Sequence, residues 1–303
     1  MQIIGAEELS ELDKLVARLN RLLDRAEDFL PQKSLPPDWK ASIAYRWRKR
    51  GALGFLHPVA HPHLIRLSDL QEIDEQKKLI ERNTRQFVEG YTANNVLLTG
   101  ARGTGKSSLV KAVLNKFASR GLRLIEVEKH DLVDLPDIVD LVAESPFKFI
   151  LFCDDLSFDA DEPGYKALKA ILDGSIATTS ENLVIYATSN RRHLMPEYMQ
   201  ENLETKYLGE EIHPGETVEE KISLSERFGL WVSFYPFDQN EYLRIAEYWL
   251  GQLGVTGFDS AAVRQEALQW ALLRGSRSGR VAWHFARDWV GRHKIQSAPM
   301  RTK

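Results

Sequence analysis

The chain has 303 residues, 43% hydrophobic and 27% charged, and carries a formal net charge of -3 at pH 7. That length carries one large or two moderate domains, and the weak negative charge excludes a general affinity for nucleic acid or anionic membrane, leaving only local basic patches to weigh. A lone cysteine, Cys153, excludes an internal disulfide and suits a reducing compartment; with no secretory leader pattern and no run of about 18 apolar residues, a cytoplasmic protein with no membrane contact is expected.

From Glu7 to Phe29, apolar residues at 9, 12, 15, 16, 19, 22 and 23 share one helical face, and Pro31, Pro36 and Pro37 end that helix. The face packs either on its own domain or on a partner helix. Next, Arg46, Arg48, Lys49 and Arg50 flank Trp47. This cluster either touches phosphate and stacks a base or is a solvated basic face. His57, His61 and His63 follow without interleaved cysteines or acids, and Pro58 and Pro62 predict an extended loop rather than a metal site.

Residues 70–235 alternate helical and strand-like stretches, the pattern of a parallel α/β sheet. The helices read as "DEQKKLIERNTRQFVEG", "KSSLVKAVLNKFASRG", "LPDIVDLVAE" and "GYKALKAILDG"; the strands read as "NNVLLTG", "LRLIEVE", "FKFILFCDD" and "NLVIYATSN". The strands are almost continuously apolar, as expected when helices cover both faces of the sheet. Cys153 reads as a small core residue, and Asp159, Asp161 and Glu162 as a solvated acidic turn. From Pro236 the chain turns helical: "FDQNEYLRIAEYWLGQLG" opens with Asp238 and Glu241 at capping-box spacing, and two helices follow near 260–274 and 279–293. The expected parts are an N-terminal helical extension and basic linker (1–67), an α/β nucleotide-binding domain (68–235), a helical lid (236–296) and a frayed tail (297–303).

Chemistry concentrates in "NNVLLTGARGTGKSSLV", where Gly100, Gly105, Lys106 and Ser107 match G-x-x-x-x-G-K-[ST] between a strand and an amphipathic helix. Glycines let such a loop turn its N–H groups around an anion, and the helix N-terminus adds partial positive charge there. The cradle takes in Gly100, Ala101, Arg102, Gly103, Thr104, Gly105, Lys106, Ser107 and Ser108. Lys106 is expected to reach the β and γ phosphates, and the Ser107 hydroxyl to ligate magnesium. The strand next to this loop should end in a carboxylate that also holds Mg²⁺, and Asp154 is the candidate; Asp155 then sits where a general base polarises water. A later strand ends on Thr188, Ser189 and Asn190; "TVEEKISLSERFGL" reads as a helix with Thr217 and Glu220 as its capping box and Arg227 near its end.

Phosphate loop, strand-end acids, strand-end Asn, S-E-R-F-G and a late G-R on a helical lid, in that order, resemble the AAA+ ATPases over about residues 68–293. Within that superfamily the chain resembles an uncharacterised bacterial ATPase family, domain of unknown function 815, through "RWRKRG", "IDEQKKLIERNTRQFVEGYTANNVLLTGARGTGKSSL", "IYATSNRRHL", "SERFGLWVSFYPFDQNEYL" and "GSRSGRVA". This extends the likeness back to about Tyr45. The resemblance implies ATP as the nucleotide, Asn190 as the sensor 1 residue, Arg227 as an arginine finger and Arg280 as the sensor 2 arginine. It also implies Leu70 and Ile73 as adenine contacts. A finger acting on a neighbouring subunit implies a homo-oligomer, a ring or open spiral whose assembly follows ATP, working on a protein or nucleic-acid client.

One residue departs from that pattern. Most AAA+ enzymes carry Asp-Glu where this chain has Asp154-Asp155, and aspartate is shorter by about 1.5 Å of reach. Two readings follow: an ATPase that still positions water through Asp155, or an ATP-dependent switch or scaffold with little hydrolysis.

Overall fold

The computed structural model describes residues 37–51, 53–158, 162–173, 181–190, 206–208, 211–213, 226–256 and 260–297, with Val16 and Arg18. The rest of the expected N-terminal helix, the Thr217–Glu220 capping box, Asp159, Asp161 and the tail after 297 lie outside the described residues.

Seven strands form the main sheet: β1 (Ala44–Arg50), β2 (Leu53–Pro58), β3 (Val96–Gly100), β4 (Leu122–Glu126), β5 (Lys148–Cys153), β6 (Leu183–Ser189) and β9 (Leu230–Phe234). A separate antiparallel pair, β7 (Lys206–Leu208) and β8 (Glu211–His213), precedes β9. The order is β2-β1-β4-β5-β6-β3-β9, and every pair from β1 to β9 in that row is parallel. Side chains alternate between the two faces, as strand geometry requires. Along β5, Ile150 and Phe152 join the cluster under α1 (Asp74–Val88) and α2 (Lys106–Phe117). Phe149, Leu151 and Cys153 join the opposite one, under α3 (Leu135–Val142) and α4 (Pro163–Leu172). Both faces are dry, which is why these strands read as unbroken apolar runs. Burial pushes the Cys153 thiol up to about 12, so it stays protonated as packing.

Two sequence expectations change. Ala44–Arg50 and Leu53–Pro58 are strands of the sheet, so the sheet begins ahead of residue 68. Trp47 is buried and donates its Nε1–H to Asp134 Oδ2 at 2.9 Å, while Arg46 pairs with Glu126 on β4 at 2.7 Å. Trp47 therefore cannot stack a nucleic-acid base. Second, the strand beside β3 is β6, not β5: Asp154 follows a strand one place farther from the phosphate loop than expected.

The C-terminal helices are α5 (Gln239–Gln252), α6 (Ser260–Arg274) and α7 (Gly279–Ser297). Asp238 caps α5 in the expected reciprocal box, accepting from Glu241 N at 2.8 Å while Glu241 Oε2 accepts from Asp238 N at 2.7 Å. Tyr242, Leu250, Ala267, Ala282 and Phe285 form the apolar seam among the three helices. Arg244 on α5 grips Glu72 through two hydrogen bonds of 2.7 and 2.8 Å, and Tyr248 donates to Asp69 Oδ1 at 2.9 Å. Among the described residues no helix is long and apolar enough to cross a membrane.

Candidate functional site

The loop between β3 and α2 turns on three glycines with positive φ: Gly100 (126°), Gly103 (75°) and Gly105 (105°). A Cβ on Gly103 would lie 2.8 Å from Ser278 Oγ, and one on Gly105 would lie 3.3 Å from Ile73 Cδ1. Glycine thus lets the loop lie against both the start of α7 and the 70–73 segment. The N-cap of α2 is Gly105, which has no side chain to cap it, and uncapped N–H groups at a helix start favour an anion.

Lys106 is folded onto that loop. Its Nζ donates to Gly100 O and Ala101 O, both at 2.7 Å, and to Asn190 Oδ1 at 3.0 Å. It is 6% exposed. Burial pushes its pKa down, Asp154 and Asp155 pull it back up, and Arg102 and Arg280 push it down again.

The acidic wall is knit across β5 and β6. Ser107 Oγ donates to Asp154 Oδ1 at 2.6 Å, and Thr188 Oγ1 donates to the same oxygen at 2.6 Å. Thr188 Oγ1 also accepts from Asp155 N at 2.9 Å, so one hydroxyl fixes both aspartates. Asn190 Nδ2 donates to Asp155 Oδ1, and Arg102 Nη2 lies 3.7 Å from Asp155 Oδ2. Asp155 has φ 53°. Aspartate enters this left-handed region several times more readily than most residues, which supplies a local reason for Asp where Asp-Glu was the expected pattern.

Thr188→Val keeps the shape and removes the bridge. It should leave Asp155 N unpaired, cost about 1–3 kcal/mol of stability, and lower any turnover by on the order of 100-fold through misplaced carboxylates. Denaturation and phosphate release measured on the same preparation check both effects.

A cleft of about 840 Å³ opens here, lined by Arg102 through Ser108, Asp154, Asp155, Thr188, Asn190 and Arg280, with Leu70 and Ile73 on the apolar side. Gly100 and Ala101 sit behind the lining: their carbonyls hold Lys106, and Ala101 N donates to Phe234 O at 3.2 Å. Sequence reasoning missed Lys111, Phe237, Ile245, Trp249, Trp283 and His284, which also line the cleft. Trp249 and Trp283 meet edge to face at 4.6 Å. The available signal was helical spacing: Ile245 and Trp249 are four apart on α5, and Arg280, Trp283 and His284 share one face of α7. Arg227 does not line the cleft; it pairs with Asp173 after α4.

Among solved structures, the chain is similar to three variant forms of RuvB from Thermotoga maritima. The first has a TM-score of 0.51 and 16% identity, covering 76% of this chain and 65% of that one. The second has 0.52 and 15%, with coverage of 77% and 67%; the third has 0.51 and 15%, with the same coverage. This chain thus spans 65–67% of the length of those relatives. At such identity the likeness shows the fold alone: an α/β architecture with a mostly parallel sheet flanked by helices and a helical C-terminal part. No curated protein matches the chain. A family model matches residues 40–293, most of the length, and the chain belongs to the family described as protein of unknown function DUF815.

Proposed function

We propose that this protein binds Mg-ATP in the cleft and hydrolyses it to ADP and phosphate, using the cycle to move its lid against a client. The observation that carries the reading is that Lys106, Ser107, Asp154 and Asn190, linked in pairs by hydrogen bonds, line one cleft together with apolar Leu70 and Ile73. The donor set fits magnesium: a hydroxyl and a carboxylate oxygen 2.6 Å apart are hard ligands with room for water. When bound, the ion would neutralise charge on the β and γ oxygens.

The chain's own groups supply the rest. On binding, Lys106 turns from the loop carbonyls to the phosphates, which exchanges neutral partners for charged ones. Asp155 and Asn190 orient a water for in-line attack at the γ phosphorus; its bond to the bridging oxygen breaks and ADP leaves. Arg280, in the first turn of α7, reports the γ-phosphate to the lid, which hinges near Pro236. Arg227 serves as a finger for a neighbouring copy in a ring or spiral, after leaving Asp173. Leu70 and Ile73 face the base. The client of that motion is a protein or a nucleic acid.

A second reading, a nucleotide-dependent switch with little hydrolysis, is favoured by one observation: both Asp155 oxygens already face other groups, Asn190 and Arg102. Steady-state phosphate release with magnesium, paired with sizing with and without ATP, separates the two. The ATPase reading expects Asp155→Asn to lower turnover by about 10²–10⁴ and Arg227→Ala by about 10³–10⁵. ATP-dependent assembly with no phosphate release above a Lys106→Ala control would establish the switch instead.

A further inference from the structure

We infer that Arg102 is a second phosphate-binding cation acting within its own subunit, held by Asp155 when the cleft is empty of nucleotide and passed to the γ-phosphate when a triphosphate enters. This deepens the proposed ATP-binding reading and rests on it.

Three observations support the assignment. Arg102 lies inside the phosphate loop, between the two positive-φ glycines Gly100 and Gly103, so its backbone is positioned by the loop itself. The start of α7 backs that loop, with Ser278 and Arg280 closest to Gly103. Its guanidinium faces the cleft beside Asp155 Oδ2, at 3.7 Å, with side-chain exposures of 77% and 58%. That separation exceeds hydrogen-bond length and both groups are wet, so the pair is loose and readily exchanged. A γ-phosphate offers more charge than a carboxylate and accepts the guanidinium fork through two oxygens. Leaving Asp155 also uncovers Oδ2, the oxygen opposite the one Asn190 holds. One movement therefore adds positive charge at the reacting phosphorus and releases the base toward water. Because Arg102 belongs to the loop that holds the nucleotide, this contribution does not wait for a neighbouring copy.

The full chain, freed of bound nucleotide, is titrated with magnesium ADP and with the non-hydrolysable triphosphate AMP-PNP. Arg102→Ala should weaken AMP-PNP by roughly tenfold or more, leave ADP within about twofold, and lower phosphate release by on the order of 100-fold. Asp155→Asn should tighten AMP-PNP several-fold by freeing the guanidinium, and that gain should vanish in the double variant. Equal weakening of both nucleotides by Arg102→Ala, or a gain that persists without Arg102, overturns the exchange. Restoration of Arg102→Ala turnover by mixing with Lys106→Ala chains, which keep Arg102, overturns action within one subunit. Wild-type protein that binds neither nucleotide removes the ATP reading itself; wild-type binding that is insensitive to Arg102 removes only this inference. The site is exposed, so an unchanged unfolding temperature in Arg102→Ala confirms an intact fold.

Discussion

Lys106→Ala should remove most of the stabilisation that magnesium nucleotide confers. At a ligand concentration about 100 times Kd the wild type gains about 2.7 kcal/mol, which for a chain of this size raises the unfolding temperature by about 4 °C. An ammonium lost from two phosphates should weaken binding by about 100-fold or more, leaving a shift of only about 1 °C at the same concentration. The substitution should barely touch the unliganded fold. Of the acceptors it abandons, Asn190 Oδ1 lines the cleft while Gly100 O and Ala101 O sit behind it, and water entering from the cleft through the space left by the Lys106 side chain replaces the ammonium. Its charge is also poorly solvated now, since burial is the main force lowering its pKa. Thermal melts with and without magnesium ATP make the test. A variant that keeps more than half of the wild-type shift would show that triphosphate binds elsewhere.

What could be read from the sequence was local. The phosphate loop is eight contiguous residues whose geometry is set by its own glycines, so spacing alone placed Lys106 and Ser107. Asp154 was legible as the first charge after a buried strand. Its partner Thr188 Oγ1 was not, because that contact spans 34 residues and needs β5 and β6 to be neighbours. The insertion of β6 between β3 and β5 is likewise a tertiary fact that no hydrophobic pattern carries. In β1 the signal was present but outweighed: Tyr45 and Trp47 alternate with Arg46, yet the following Arg48, Lys49 and Arg50 made the stretch look like a solvated patch. Trp249 and Trp283 reach the cleft only through the packing of the C-terminal helices, which no local pattern carries. Arg227 was singled out as a finger, but Asp173 could not be seen as its partner from 54 residues away. The left-handed backbone of Asp155, φ 53°, is likewise a quantity invisible in composition.

Gly100→Ala should be the most damaging single-methyl change in the α/β part of the chain. The added Cβ would lie 1.9 Å from Phe234 O, 2.8 Å from Phe234 C and 3.0 Å from Phe234 N. All three are backbone atoms of the adjacent strand, so no rotamer change relieves the overlap, and β9 must move by more than about 1 Å to restore contact distance. Gly100 also has φ 126°, a conformation almost closed to alanine. Strain and clash act together: β9 is the last strand of the sheet, and Phe234 O accepts from Ala101 N at 3.2 Å. Displacing it pulls on Pro236 and Phe237, the link into the lid. The expected loss is about 4 kcal/mol or more, a fall in unfolding temperature on the order of 10 °C, with nucleotide binding weakened in whatever remains folded. Gly90→Ala separates the two causes. Its φ is 85°, yet a Cβ there meets no atom within 4 Å, so it carries the backbone strain alone, about 1–2 kcal/mol. Equal melting temperatures for the two variants would mean that the close approach of β3 to β9 contributes nothing, and that the phosphate loop is held in place by its helix rather than by the strand beneath it.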